Sequence, residues 1–279
     1  MLRIVKTEKF ETKKSLGQHF LNSTVVPKWL CDAGEVTPAD LILEIGPGTG
    51  ALTMELLARG TRVIALEADR RAIEVLEERF KSEIAEGRLH IEHADVRKLD
   101  LASLGLEDHS FKVVANIPYY LTGQLFRSML SGAIQPSTLV FLIQKEVAKR
   151  ATSSLTRGEK ESLLSLSIKA FGNPVYVRSV GKGHFTPPPK VESAIIAVKN
   201  ISRSNFQTLS PELFFRVLHL GFGSKRKQLL GNLAGDYDRG TLINLFSTVP
   251  LALDVRAEDI PLETWLELIK MLDAVDKHA

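Results

Sequence analysis

Chemistry in this chain falls to a few polar residues placed where apolar runs end. The stretch VVANIPYYLTG, residues 113 to 123, carries a strand-like segment straight into Asn116, Ile117, Pro118, Tyr119 and Tyr120. Asn116 offers an amide oxygen, and a proline-constrained turn can present the Ile117 carbonyl beside it. Two such acceptors can grip both hydrogens of an exocyclic NH2 group and leave the nitrogen lone pair aimed at an electrophilic methyl group. Tyr119 adds a face on which a flipped base can stack. Asn and Pro are also ordinary turn residues, and phenol rings often close a core. Tyr120 is read as such a packing residue.

A second group is EIGPGTG, residues 44 to 50, at the end of one apolar run and the start of a helix-like stretch. Glycines there let the backbone turn sharply and approach a ligand closely. Glu67 follows in IALEAD, about 20 residues beyond Gly46, where an acid would accept hydrogen bonds from ribose hydroxyls. Asp95, in HADV, can take a hydrogen bond from an exocyclic adenine amine, although a lone aspartate in that setting also caps a helix. Gly46, Gly48 and Ala51 satisfy the relaxed dinucleotide fingerprint as well, and a tight turn with no ligand uses the same residues. At this point NAD and S-adenosylmethionine both remain open.

Positioning these residues takes a sheet. DLILEIGPG, TRVIALEAD, LHIEHADV, FKVVANIPYY and STLVFLIQ read as buried strands. Helical stretches lie between the first four, clearest in ALTMELLARG, closed by Gly60, and in DRRAIEVLEERFK with Ile73, Leu76 and Phe80 on one face. That alternation predicts an α/β fold with a doubly wound, mostly parallel sheet, whose ligands bind at the carboxyl ends of the strands. GNPVYVRSVGKGHFTPPPKVESAIIAVKN reads as an antiparallel pair at the sheet edge, joined by a proline-rich loop. ISRSNFQTLSP is a polar linker, and from Pro211 onward the pattern is helical, with Trp265, Leu268, Ile269 and Leu272 on one face. The expected division is a ligand-binding domain over residues 1–200 and a small all-helical domain over 201–279.

The 279 residues are 44% hydrophobic, enough for a sizeable core, and the net charge is only +3. Cys31 is the single cysteine, so no internal disulfide and no cysteine-based zinc site can form. A reducing, cytoplasmic address is expected, with no apolar leader and no membrane helix. Basic residues gather at Lys13 and Lys14 and again at Lys225, Arg226 and Lys227, where a helix beside Phe222 could track a phosphate backbone. A solvated helix face is the commoner use of such a run. GxSxG, HExxH and P-loop motifs are absent, and His90 and His93 lack further ligands, so no metal is expected.

KKSLGQHFL, EIGPGTGALT, ALEAD, HADV, NIPYY, LIQKEVAKR, FTPPPKVESA and FGSKRKQLLGNL stand in the order and spacing of the KsgA-type ribosomal RNA adenine dimethyltransferases, and the chain resembles that family over nearly its whole length. The resemblance implies a Rossmann-like S-adenosylmethionine-dependent methyltransferase sheet. It also implies transfer of two methyl groups to N6 of each of two adjacent adenines near the 3′ end of small-subunit ribosomal RNA. His19, Leu21, Gly46, Glu67, Asp95 and Asn116 are then the cofactor contacts, and Asn116 with Tyr119 the catalytic pair. Ile117, Pro118, Tyr119 and Phe185, the last as a second aromatic wall, would hold the base, and Lys225, Arg226 and Lys227 the RNA. The expected partner is ribosomal RNA in an immature small subunit, met by a monomer. In this sequence Lys225 stands where Arg is usual, Gly231 where Asn is usual, and His19 where many relatives have Asn. An Erm-like enzyme acting on large-subunit RNA and a non-catalytic RNA-binding assembly factor are the alternatives, and retention of Asn116 argues against the second.

Overall fold

A computed structural model describes residues 19–98 and 100–276. Lys13 and Lys14 lie outside them. All five apolar runs form strands: β2 (Leu41–Ile45), β3 (Arg62–Glu67), β4 (Leu89–His93), β5 (Lys112–Asn116) and β6 (Thr138–Gln144), with β1 being the short Phe20–Leu21. Between them run α1 (Val25–Ala33), α2 (Ala51–Ala58), α3 (Arg70–Arg79), α4 (Lys81–Ala85) and α5 (Thr122–Ser131). Next come α6 (Lys145–Ala151), α7 (Leu163–Lys169), β7 (Asn173–Val180), β8 (Phe185–Thr186) and β9 (Ser193–Lys199).

The seven-stranded sheet has the order β4-β3-β2-β5-β6-β9-β7. Its first five strands are parallel, and β9 runs antiparallel to both β6 and β7, as the two late apolar runs predict. The order reverses direction between β2, which leads outward to β3, and β5. That switch point opens a crevice at the strands' carboxyl ends. Helices cover both faces, so Ile42, Val113, Val114, Val140 and Phe141 are fully buried, and the central strands read as unbroken apolar runs.

The local signals behave as their chemistry requires. Asp69 caps α3 by accepting from the Arg71 N–H. Gly60, at φ +82°, turns the chain out of α2 with its N–H on the Leu57 carbonyl. Past residue 200 come α8 (Pro211–Gly221), α9 (Leu229–Leu233), α10 (Arg239–Thr248) and α11 (Leu262–Asp276). Ser210 caps α8 through the Leu213 N–H with Pro211 in its first turn, and Trp265, Leu268, Ile269 and Leu272 of α11 are fully buried. Their core is continuous with one face of the sheet. Phe171, just before β7, stacks on Phe206 at 4.4 Å between ring centroids, and Phe206 meets Phe214 of α8 edge-on at 5.4 Å. The helical tail thus extends the sheet's own apolar layer across the residue 200 boundary.

One pairing had no counterpart among the sequence expectations. β1 lies antiparallel to β8, with Leu21 opposite Phe185. The Asn22 N–H donates to the His184 carbonyl at 3.0 Å, and Asn22 Nδ2 to Thr186 Oγ1 at 2.8 Å. These bonds lay the 19–22 segment across the mouth of the crevice.

Candidate active site

Three strands deliver the candidate residues to the crevice. β2 ends in the glycine loop, β3 ends on Glu67, and β5 ends on Asn116. Gly48 has φ +57°, and a Cβ built there would lie 2.8 Å from the Phe20 ring, so only glycine lets the loop pass beneath that aromatic. Gly46, at φ +68°, faces open space instead, its nearest neighbour being the Asn116 carbonyl oxygen at 3.9 Å. A side chain there would fill the cradle in which the backbone can meet a ligand.

Glu67 organises this loop. Its Oε2 accepts from the Gly48 N–H at 3.1 Å, and its Oε1 from the N–H groups of Ala68 and Asp69 at 2.9 and 3.0 Å. A carboxyl group has about four lone-pair sites, so three backbone donors leave capacity for a ribose hydroxyl. Glu44 sits deeper, 1% exposed, and accepts from Thr53 Oγ1 at 2.7 Å. Burial pushes its pKa up to about 8, with the nearby Glu67 adding to the rise and Thr53 opposing it. Glu44 lines the floor of the crevice with Gly46 and Asn116. Sequence reasoning gave it no role, although an acid inside the apolar run LILEI is itself a signal.

Asn116 is oriented from the N-terminal side. Its Nδ2 donates to the His19 carbonyl at 3.2 Å, which directs the amide NH2 away and leaves Oδ1 as the acceptor. His19 is fixed in turn by a 2.8 Å contact of its Nδ1 with the Pro187 carbonyl. His19, Glu67, Asn116, Ile117, Pro118 and Tyr119 form one wall system of the crevice, and Leu21 lies against the glycine loop. The Tyr119 hydroxyl is 2.7 Å from Ser193 Oγ on β9, so the ring is pinned at its far end. Burial raises its pKa, opposed by that hydrogen bond.

Asp95 follows β4, and the Ala94 N–H before it donates to the Glu67 carbonyl at 3.1 Å. Its carboxyl group both caps the next turn, accepting from the Arg97 N–H at 3.0 Å, and takes the Arg97 side chain at 2.5 Å. Arg97 thereby holds Asp95 at about 2, well below the usual carboxylate range.

Three expectations need correction. Phe185 is 2% exposed and belongs to the core cluster with Leu21, Val26 and Ile195, because strand alternation turns it inward and Thr186 outward. It forms no aromatic wall in this structure. The ring beside Tyr119 is instead the His19 imidazole, at 6.0 Å between centroids and 30° between planes. Lys225, Arg226 and Lys227 are exposed as expected, but on the turn between α8 and α9 rather than on a helix. Phe222 is not free to flank a phosphate backbone, since it stacks on Trp265 at 5.9 Å. That turn is stitched by Asn232 Nδ2, which donates to the Gly221 and Ser224 carbonyls, the latter at 3.1 Å. Tyr120, read as packing, is 61% exposed.

Over residues 9–274 the sequence matches the family model described as ribosomal RNA adenine dimethylase. The chain belongs to that family. It is 36% identical over 260 residues to a ribosomal RNA small subunit methyltransferase A of Dehalococcoides mccartyi strain CBDB1, covering 92% of this chain and 87% of the relative. A protein of the same name from Clostridium botulinum strain Langeland is 32% identical over 266 residues, covering 95% of each. Among solved structures, a dimethyladenosine transferase from Plasmodium falciparum superposes with a TM-score of 0.77 at 23% identity, over 92% of this chain and 98% of that one. The 23S rRNA methyltransferase ErmE gives 0.70 at 24% identity, over 91% and 99%. At such identities these two structures support the Rossmann-like methyltransferase fold alone.

Proposed function

We propose that this dimethylase-family enzyme uses S-adenosylmethionine to convert two adjacent adenines near the 3′ end of small-subunit ribosomal RNA to N6-dimethyladenine. The activity class, dimethylation of adenine in small-subunit ribosomal RNA, is that of its family and of the small-subunit relatives. The observation that carries the residue-level reading is the orientation of Asn116, whose NH2 donates to the His19 carbonyl and whose Oδ1 is left as an acceptor in the crevice with Gly46, Glu67 and Tyr119.

The open cradle at Gly46 and the carboxyl group of Glu67 fit a nucleoside-bearing cofactor, with Asp95, His19 and Leu21 as further contacts. When bound, S-adenosylmethionine supplies an electrophilic methyl group. The protein's part is placement. Asn116 Oδ1 and the Ile117 carbonyl accept the two hydrogens of the adenine amine, which favours a tetrahedral nitrogen over one delocalised into the ring. Pro118 fixes the turn between them and Tyr119, and Tyr119, anchored on Ser193, gives the flipped base a rigid face. The buried floor keeps bulk water from the amine, so positioning and desolvation stand in for a strong base. Once methylated, the cationic nitrogen is acidic enough to lose its proton to water. In a second round the amine has a single N–H to offer, so one of the two acceptors suffices.

The partner in this reading is ribosomal RNA of an immature small subunit, bound by a monomer in the cytoplasm. Among the described residues no helix is long and apolar enough to cross a membrane. Mass spectrometry of ribosomal RNA from cells with and without this gene tests the proposal. Loss of N6-dimethyladenine from small-subunit RNA is expected, and an unchanged content refutes it. Loss from large-subunit RNA would move the assignment to the Erm-like alternative.

A further inference from the structure

Tyr120 is the only exposed Phe, Tyr or Trp among the described residues. Single exposed apolar side chains are common and mean little by themselves, so its position decides the matter. It directly follows Tyr119 in a single turn of 3-10 helix, Tyr119–Leu121, which leads into α5. Successive side chains in such a turn point about 120° apart. Tyr119 lines the crevice and is tied to Ser193, and Tyr120, the next residue and 61% exposed, is turned out to solvent beside it.

A planar, solvent-facing aromatic is the surface on which single-stranded nucleic acid stacks a base.

We propose that Tyr120 forms the subsite for the nucleotide next to the flipped adenine. The base of that nucleotide stacks on the Tyr120 ring. Rings on consecutive residues suit bases on consecutive nucleotides, and in a substrate with two adjacent adenines the neighbour is itself an adenine. Tyr120 would then hold the second target while the first is modified. This inference rests on the reading of the crevice as an adenine methylation site.

The test uses the purified full chain and an RNA hairpin whose loop carries two adjacent adenines, with 2-aminopurine replacing either one in turn. For the probe at the neighbour position, the wild-type protein should quench its fluorescence by stacking. Tyr120→Ala should abolish that quenching and weaken RNA binding roughly 5- to 150-fold, the span of one base stacked on one aromatic. Tyr120→Phe should retain both. Calorimetry should show S-adenosylmethionine affinity unchanged in both variants, because the ring lies outside the cofactor cradle. Undiminished quenching in Tyr120→Ala, or a loss of cofactor affinity in that variant, overturns the subsite. If the wild-type protein neither binds this hairpin nor methylates small subunits lacking dimethyladenine, the reading of the crevice fails and the subsite with it. Methylation by the wild-type protein with quenching intact in Tyr120→Ala removes the subsite alone.

Discussion

Changing Glu67 to Gln keeps the size of the side chain and replaces one carboxyl oxygen with an NH2 group. The remaining oxygen can still serve the paired N–H groups of Ala68 and Asp69. The NH2 then faces the Gly48 N–H, 3.1 Å away from the oxygen it replaces, and two donors meet where one hydrogen bond had been. Leaving a buried N–H without its charged acceptor costs about 1.5 to 3 kcal/mol. That loss falls on the ligand-free protein, where each kcal/mol lowers Tm by roughly 2 to 4 °C for a chain of this order of length. The cofactor suffers a separate loss of about the same 1.5 to 3 kcal/mol, because its ribose hydroxyls lose the charged carboxyl acceptor. S-adenosylmethionine affinity should therefore drop roughly 10- to 150-fold, with RNA affinity unaltered. Isothermal calorimetry reads the affinity, and thermal unfolding with and without cofactor separates the loop's share. An affinity within threefold of wild type would refute the ribose assignment even if Tm falls, since Glu67 would then be a loop fastener only.

Asn116→Ala should slow methyl transfer on the order of 10²-fold at saturating cofactor while RNA affinity stays near wild type, because the amide acts on the reacting amine; single-turnover rates at wild-type level would end its catalytic role. Replacing Lys225, Arg226 and Lys227 together with Ala should flatten the slope of log K against log salt by about 2 to 3, at about 0.7 to 0.9 per phosphate contact. An unchanged slope would mean that the RNA path avoids the α8 to α9 turn. Glu44 should make stability fall with rising pH: its pKa is raised in the folded state to about 8, so the native protein holds a proton that the unfolded chain releases from about pH 4.5 upward. The decline, up to about 1.4 kcal/mol per pH unit, should run from about pH 4.5 to about 8 and flatten in Glu44→Gln. Denaturant titrations of both proteins across that range check it, and parallel curves would show that Glu44 is ionised in the fold.

The sheet was legible because each central strand is buried on both faces and so reads as a continuous apolar run, with glycine and acid residues marking where it stops. The helical tail was legible from its capping residues and from the 3.6-residue spacing of Trp265, Leu268, Ile269 and Leu272. Its relation to the sheet was not. A polar linker after Asn200 looks like a domain boundary in sequence, while the Phe171 and Phe206 rings that stack across it are far apart in the chain and carry no periodicity. The pairing of β1 with β8 was hidden for the same reason. Two residues on each side, 164 positions apart at Asn22 and Thr186, leave no strand signal.

At the site, strand ends foretold which residues reach the crevice better than residue type foretold the orientation of the aromatics. Asn116, Glu67 and Gly46 reach the crevice because they end strands, and a strand end in a parallel sheet has only one place to point. Phe185 and Tyr120 sit in very short elements, a two-residue strand and a single 3-10 turn, where a shift of one residue exchanges inside for outside, and both went the opposite way to the expectation. The exchange has a physical logic. Phe185 anchors the short β8 strand, whose pairing to β1 carries His19 over the cleft, and that anchor needs a buried side chain. His19 then orients Asn116 through its backbone carbonyl and brings its ring beside Tyr119, so the aromatic lost from the cleft is part of what holds the Asn116 amide in place. A Phe185→Ala variant should on this account lose methylation through a displaced Asn116 rather than through lost stacking. Its defect should appear as reduced thermal stability and a slower methyl-transfer step together, whereas loss of a stacking wall alone would weaken RNA binding and leave Tm unchanged.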